Sequence, residues 1–140
     1  MTVQPDTRLP ARTFSVSIRA PWQEVYERIW RPEVFAQWAA GLAEAELRQD
    51  GANWIADGSD GPIVIRFTPH NAFGVMDHWV DPGHGPPIHV PLRVVQNGGG
   101  AEVMLTLFRQ PGMTDEHYAA DIKLINHDLR SLKSLIERAA

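Results

Sequence analysis

The sequence predicts a single α+β domain in which a curved antiparallel β-sheet wraps around one long C-terminal helix. Between residues 43 and 109, short segments of alternating apolar and polar residues are separated by clusters of Gly, Pro, Asn and Asp. No helical pattern comes between them, which is typical of an antiparallel meander. From Thr114 to Ala140, apolar residues recur at steps of three and four, which indicates an amphipathic helix. The sheet is the predicted surface large enough to cover it.

The 140 residues fit one domain. Residues 1–12 are polar with two prolines and are interpreted as a flexible N-terminal arm, which leaves residues 13–140 as the domain. No repeat and no linker divides the chain.

The domain begins with a strand and two short helices. Thr13–Ala20 alternates between apolar and polar side chains, as a half-buried strand does. Pro21 suits the first position of a helix, where the missing N–H costs nothing. Pro32 ends this helix, and a second short helix is predicted over Glu33–Ala40.

Six further strands bring the predicted sheet to seven. They are placed at Glu44–Gln49, Asn53–Asp57, Pro62–Thr68, Phe73–Asp81, Ile88–Gln96 and Glu102–Arg109. Thr114, followed by two acidic residues, is the expected N-cap of the terminal helix. The apolar stripe of that helix comprises Tyr118, Ile122, Ile125, Leu129, Leu132 and Ile136, widened by Leu124 and Leu135.

Composition excludes several classes of function. With 13 basic and 17 acidic residues and a net charge of −4, the chain lacks the cationic surface that nucleic acids or anionic lipids require, so neither nucleic acid nor membrane is an expected partner. It contains no cysteine, which excludes thiolate catalysis and cysteine zinc sites. No phosphate-binding glycine loop and no GxSxG motif is present, and no cofactor is predicted. The first 13 residues lack the apolar stretch of a signal peptide, so a cytoplasmic location is expected.

Three segments resemble a known superfamily. They are the opening FSVSIRAPWQEVYERIWRPEVFAQWAAGL, the closing DIKLINHDLRSLKSLIE, and GVMDHWVDPG with VPLRVVQNGGGAEVMLTLFRQPGMTDE between them. The chain resembles the helix-grip superfamily of START-like (SRPBCC) proteins over nearly its whole length, and within it bacterial proteins of the polyketide cyclase type. The resemblance implies the helix-grip fold, with a hollow between the concave sheet and the long helix, near the two short helices. It does not select a chemistry, because one fold supports many functions.

Strand parity predicts which side chains face that hollow. The NGGG turn sets Asn97 opposite Gly100. Counting back from this turn pairs Val94 with Val103, Leu92 with Leu105 and Val90 with Leu107, so that the core face is apolar throughout.

The register of the preceding strand is less certain, because the DPGHGPP connection has no defined geometry. If the chain turns near His84, His78 faces inward with Met76 and Val80, and Asp77 lies with Arg93 on the outer face. A shift by one residue exchanges Asp77 and His78. The inward orientation of His78 is favoured.

Two interpretations of each polar residue stay open. His78 is either the polar group of an apolar pocket, able to orient a ligand or transfer a proton, or a core histidine with a satisfied hydrogen bond. Asp77 is either a catalytic acid or, as favoured, the partner of Arg93 in a cross-strand ion pair.

The terminal helix and the tryptophans supply further candidates. Along the helix, His117, Asp121, Leu124 and Asp128 flank the apolar stripe, either as a solvated edge or with an acid at the mouth of the cavity. The resemblance places Trp30 and Trp38 where the short helices close the cavity, although core packing is the commoner role of tryptophan. The complete set of predicted ligand-contacting residues is Trp30, Trp38, Met76, His78, Val90, Leu92, Leu105, Leu107, Asp121 and Ile125.

A metal site is disfavoured. His70, His78, His84 and His89 lie near Asp77 and Asp81 in sequence, but neither HExxH nor a close His-x-His pair is present, and zinc requires three or four convergent ligands.

Three functions compete. The favoured one is binding of a small hydrophobic ligand, aromatic or polyketide-like, without catalysis. The second is an enzyme of the cyclase/aromatase or hydratase kind, in which His78 or Asp77 moves a proton. The third is a protein–protein interaction module, which predicts an exposed apolar patch and a cavity too small for a ligand. The sequence leaves a homodimer open.

Overall fold

The computed structural model describes residues 8–39, 47–58, 61–83 and 85–138. Residues 1–7 of the predicted arm, residues 44–46 of the predicted second strand and His84 lie outside the described residues.

The described residues form the predicted α+β helix-grip fold. Two antiparallel sheets have the strand orders β1-β8-β7 and β2-β3-β4-β5-β6. The elements, in chain order, are β1 (Ala11–Ile18), α1 (Trp22–Ile29), α2 (Pro32–Trp38), β2 (Arg48–Asp50), β3 (Asn53–Gly58), β4 (Gly61–Phe67), β5 (His78–Asp81), β6 (Ile88–Val90), β7 (Leu92–Asn97), β8 (Gly100–Phe108) and α3 (Asp115–Arg138). The long helix starts as predicted, with Thr114 Oγ1 accepting a hydrogen bond of 3.1 Å from the backbone N–H of His117.

The prediction of seven strands was wrong, because the described residues form eight. The predicted strand Ile88–Gln96 is divided into β6 and β7 at Pro91, since proline has no N–H to contribute to a ladder. The predicted strand Phe73–Asp81 is reduced to its last four residues, β5. At the other end of the sheet, β1 begins at Ala11, two residues inside the segment interpreted as an arm.

The register of the hairpin β7–β8 is confirmed. Asn97 pairs with Gly100, Val94 with Val103 and Leu92 with Leu105. The predicted pair of Val90 with Leu107 is not formed, because Val90 lies in β6, beyond Pro91, and pairs with His78. Gly98 has a φ of 58°, a conformation that suits glycine in a tight turn. Strand β1 returns along the other side of β8, which closes this part of the sheet around the core.

The two sheets meet where Pro91 interrupts the chain. The segment before β5 runs alongside β7 through an isolated bridge between Val75 and Arg93. The backbone N–H of Met76 donates to Leu92 O at 2.7 Å, and the N–H of Val94 donates to Gly74 O at 2.9 Å. The backbone therefore continues from one sheet into the other across this junction.

The Asp77 side chain anchors the same junction. The carboxylate is buried, with 7% of the side chain exposed, and its Oδ1 accepts the backbone N–H of Leu92 at 3.0 Å. Arg93 donates through Nε and Nη2 at 3.2 and 3.0 Å, and His89 Nε2 donates at 3.0 Å. Burial raises the pKa of Asp77, but the hydrogen bonds from Arg93, Leu92 and His89 together outweigh it and lower the pKa below its usual value. The predicted ion pair with Arg93 is thus confirmed.

The core lies between the concave sheet face, α1, α2 and one half of α3. Of the predicted helical stripe, the members in the C-terminal half of α3 are fully buried, whereas those in the N-terminal half are half-exposed. The buried ones are Leu129, Leu132 and Ile136. Within the described ranges, no helix has both the length and the apolar character that crossing a bilayer requires.

We expect Asp77→Ala to lower the free energy of unfolding by about 3 kcal/mol, since it leaves the buried N–H of Leu92 without an acceptor and removes the partner of Arg93. Arg93→Ala, which truncates a half-exposed side chain, should cost about 1 kcal/mol. Urea unfolding of both variants measures the difference. Equal, small losses in the two variants would contradict the anchoring role of Asp77.

Candidate functional site: a pocket between the sheet and the long helix

A pocket of about 340 Å³ lies between the concave sheet and the N-terminal half of α3. We call it the sheet–helix pocket. It is lined by Phe35, Trp38 and Ala39 from α2 and the residue after it, by His78, Val80, Val90, Leu105 and Leu107 from the sheet, and by Asp121, Leu124, Ile125 and Asp128 from α3. Most of this wall is aliphatic or aromatic, as in pockets for small molecules.

The pocket exists because the two halves of α3 differ in what they pack against. Leu129, Leu132 and Ile136 fill the space above the sheet in the C-terminal half. About one turn before Leu129, Ile125 and Leu124 reach the pocket wall instead, and Leu124 remains 38% exposed. The helix therefore covers the pocket without filling it.

His78 is the buried polar group of the pocket. Only 5% of its surface is exposed to solvent, and its ring packs against Phe35 and Phe67 with centroid distances of 5.0 and 5.6 Å. Burial, the largest effect, lowers the pKa of His78 to about 4 and outweighs the opposite influence of the Met76 carbonyl and of the Asp77 charge. The imidazole is therefore neutral at physiological pH.

The tautomer of His78 follows from its hydrogen bond. Nδ1 lies 3.3 Å from the carbonyl oxygen of Met76. Because a carbonyl oxygen only accepts, Nδ1 carries the proton and Nε2 keeps a lone pair. Nε2 makes no hydrogen bond with any described residue, so the neutral ring offers one acceptor.

The position of His78 depends on its backbone neighbours. The hydroxyl and the backbone N–H of Thr68 both donate to the carbonyl oxygen of Asp77, at 2.5 and 3.0 Å. The Asp77 side chain is meanwhile directed to Leu92 and Arg93. Because successive side chains of a strand point to opposite faces, His78 then faces the pocket, the orientation that the sequence favoured.

Two carboxyl groups of α3 line the pocket as well. Asp121 is half-buried, and burial raises its pKa, partly opposed by His117 at 3.6 Å. The Asp128 side chain is 13% exposed and lies 3.5 Å from His127. The row of residues that flanks the apolar stripe thus contributes three members to the pocket wall: Asp121, Leu124 and Asp128.

Trp38 contributes an aromatic face. Its ring is 3% exposed and packs against Phe35 at a centroid distance of 4.7 Å. Its Nε1 is buried and has no hydrogen-bond partner in the part of the chain that the structure describes.

The pocket unites seven of the predicted ligand-contacting residues, namely Trp38, His78, Val90, Leu105, Leu107, Asp121 and Ile125. Met76 and Leu92 belong to the buried core and do not line the pocket. Asp77 does not line the pocket either, so its assignment as a catalytic acid lacks the required geometry.

Trp30 does not line the sheet–helix pocket. Its ring packs against the His70 ring at a tilt of 55° with 4.8 Å between the centroids, and His70 Nε2 lies 2.6 Å from Glu27 Oε1. Trp30 instead borders a separate groove of about 340 Å³ beside Trp54. Trp30 is the C-cap residue of α1.

The sequence missed Phe35, Ala39 and Val80 as site residues, although Val80 was assigned to the inner face. Trp38 and Ala39 follow Phe35 by three and four residues, so helical periodicity could have predicted that they lie close together on one face. Among the described residues, no three His, Asp or Glu side chains converge as metal ligands do.

No family model and no curated protein sequence matches the chain. Solved structures are nevertheless similar to it. DynU16, a protein of the dynemicin biosynthetic locus, has a TM-score of 0.66 at 20% identity over 91% of this chain, which spans 47% of DynU16 and thus about half its length. MLL2253 from Mesorhizobium loti has a TM-score of 0.70 at 10% identity, covering 94% of this chain and 99% of its own. Ara h 8.0201 has a TM-score of 0.63 at 9% identity, with 93% and 99% covered. At such identities the likeness shows the shared fold.

The burial of His78 predicts a specific dependence of stability on pH. The unfolded chain binds a proton at this residue near its ordinary pKa of 6.5, whereas the folded protein does so only near 4. The unfolded state therefore binds more protons between these values, and the folded protein should lose about 3 kcal/mol as the pH falls from 6.5 to 4. In His78→Gln this contribution should be absent. Urea unfolding of both proteins across that range measures it, and parallel pH curves would contradict the burial of an uncharged His78.

Proposed function

We propose that the protein binds a small, mostly apolar, ring-shaped ligand in the sheet–helix pocket. The observation that carries this proposal is a wall of apolar and aromatic side chains in which a neutral histidine is buried with one unused acceptor. The Nε2 lone pair has no hydrogen-bond partner among the described residues. A ligand that donates to Nε2 therefore gains a hydrogen bond in a partly desolvated space.

The dimensions of the pocket limit the ligand. A volume of about 340 Å³ is near the lower end of the range of roughly 300–1,000 Å³ for small-molecule sites. A bicyclic or smaller ring system fits such a space. The aromatic faces of Phe35 and Trp38 and the aliphatic side chains of Leu105 and Leu107 suit such a ring.

The solved structures of the same fold are in keeping with this proposal. DynU16 comes from a biosynthetic locus, which agrees with handling of an aromatic or polyketide-like small molecule. The fold likeness alone does not choose between carrying and converting such a molecule.

An acid–base enzyme of the cyclase/aromatase type is the second candidate. It is favoured by the neutral imidazole of His78 and the carboxyl group of Asp121, whose pKa is raised by burial, on opposite walls of one pocket. Such a pair can exchange protons with a bound substrate. An interaction module is less well supported, because the pocket has room for a ligand.

We expect Val90→Phe to abolish ligand binding by filling the pocket, with a loss of at least about tenfold in affinity. Val80→Phe on the neighbouring strand should act in the same way. The matched control is Val95→Phe, at a valine of β7 that is 37% exposed and does not line this pocket. Tryptophan fluorescence during titration with a library of apolar ring compounds measures binding, and thermal unfolding confirms that each variant is folded. Unchanged affinity in both folded pocket variants would refute the location of the site.

His78→Gln separates a carrier from an enzyme. A carrier should keep its affinity within about tenfold, equivalent to about 1.4 kcal/mol, since glutamine retains a hydrogen-bond acceptor. An enzyme that uses His78 as its base should lose about 100-fold or more in turnover with little change in binding. The measurement is ligand affinity beside turnover of any bound compound that the wild-type protein converts.

A further inference from the structure

We propose that the sheet–helix pocket is selective for ligands that donate hydrogen bonds, in the order cationic amine, then neutral alcohol, and that it rejects carboxylates. This inference rests on the proposed function, because it concerns the ligand class of the same pocket. Three features of the wall support it.

The first feature is the distribution of charge. Two carboxyl groups, those of Asp121 and Asp128, are part of the wall, while no lysine or arginine is found among the described residues that line it. An anionic ligand would enter a partly desolvated space without a fixed cation to pair with, which is strongly unfavourable. Carboxylates of fatty or aromatic acids are therefore poor ligands.

The second feature is the acceptor on His78. Its Nδ1 proton is engaged by Met76 O, so the ring presents only the lone pair of Nε2 to the pocket. A ligand hydroxyl or amine donates to this lone pair, whereas a carboxylate oxygen facing it is repelled. For the neutral imidazole to donate from Nε2 instead, its proton would have to leave Nδ1, which would set the Nδ1 lone pair against the carbonyl oxygen of Met76.

The third feature is the weak pairing of Asp121. Its contact with a described charged group is His117, at 3.6 Å on the preceding helical turn, which is too long for a good hydrogen bond. The carboxylate is partly desolvated at the pocket wall without a strong donor. A ligand ammonium group supplies that donor and a compensating charge.

The aromatic wall favours the same ligands. Phe35 and Trp38 line the same pocket as the carboxyl groups of α3, and an ammonium group near an aromatic face gains a further attraction. The indole N–H of Trp38 is a donor, but its nitrogen is buried, so the ring rather than the N–H is presented to the ligand.

The test uses four ligands with one naphthalene skeleton: 1-naphthylmethylamine, 1-naphthalenemethanol, 1-methylnaphthalene and 1-naphthylacetate. They differ in one substituent, which is a cation, a neutral donor, a hydrocarbon or an anion at neutral pH. Affinities are measured by isothermal titration calorimetry with the full chain. We expect the amine to bind about tenfold more tightly than the hydrocarbon, the alcohol to lie between them, and the carboxylate to bind most weakly.

Asp121→Asn identifies the origin of the preference. The affinity for the amine should fall about fivefold, that for the alcohol and the hydrocarbon should change less than about twofold, and that for the carboxylate should rise. Glu116→Gln is the matched control, because it removes the same charge from an exposed position of α3 outside the pocket wall. It should leave all four affinities unchanged.

The outcomes separate the two proposals. If none of the four compounds binds and Val90→Phe has no effect on any other ring compound, the proposed function itself fails. If the hydrocarbon binds but the carboxylate binds as well as the amine, the pocket exists and the selectivity is refuted. Equal effects of Asp121→Asn and Glu116→Gln on the amine would likewise refute a direct contact with Asp121.

Discussion

The hydrogen bonds of the Asp77 carboxylate hold together the part of the structure on which the pocket depends. Pro91 leaves a gap between β6 and β7, and a gap in a sheet exposes backbone groups that must find other partners. Asp77 accepts the N–H of Leu92 directly after this gap and binds Arg93 and His89 around it. Through the backbone bridge at Val75 the two sheets then behave as one curved surface. Because Asp77 is held on the outer face, the side chain of its neighbour His78 lies on the inner face.

The long helix performs two tasks with one amphipathic pattern. Its C-terminal half inserts Leu129, Leu132 and Ile136 into the core, which supplies most of the apolar burial that holds the helix against the sheet. Its N-terminal half presents Ile125 together with two carboxyl groups to an unfilled space. A stripe that was uniformly bulky along its length would close that space. The pocket thus results from a local change of side chains along a regular helix.

Burial disfavours the charged forms of His78 and Asp121, and therefore shifts their pKa values in opposite directions. For His78 it disfavours the charged form, so the ring is a neutral acceptor. For Asp121 it raises the pKa of an acid that lacks a strong donor. Within the described protein, His78 Nε2 has no hydrogen-bond donor, and Asp121 has only the long contact of 3.6 Å with His117. The proposed binding function and the proposed preference for amines and alcohols both depend on these two acceptors. The shared fold accounts only for the space between the sheet and the long helix.

Local sequence patterns were sufficient to predict some elements of the fold and not others. The hairpin β7–β8 was predicted to the residue, because a tight turn together with strict alternation leaves a single register that buries the apolar face. The terminal helix was predicted from the spacing of its apolar residues and from its Thr114 cap, which are likewise local features of the sequence. By contrast, Pro91 lay within a segment of strand-like composition, and the break it causes was not apparent until the neighbouring strands were placed around it.

By itself the sequence determined the fold class, the order of the elements, the face of β7 and β8 that is buried, and the absence of cysteine chemistry, since each depends on residues close together in the chain or on composition. Only the tertiary structure decided that Trp30 lies outside the pocket, that Met76 and Leu92 are packed solid, and that Asp121 and Asp128 join His78 around one space. These side-chain positions depend on how helices and strands that are distant in sequence pack against one another. The spacing of residues within a single helix or strand does not determine that packing.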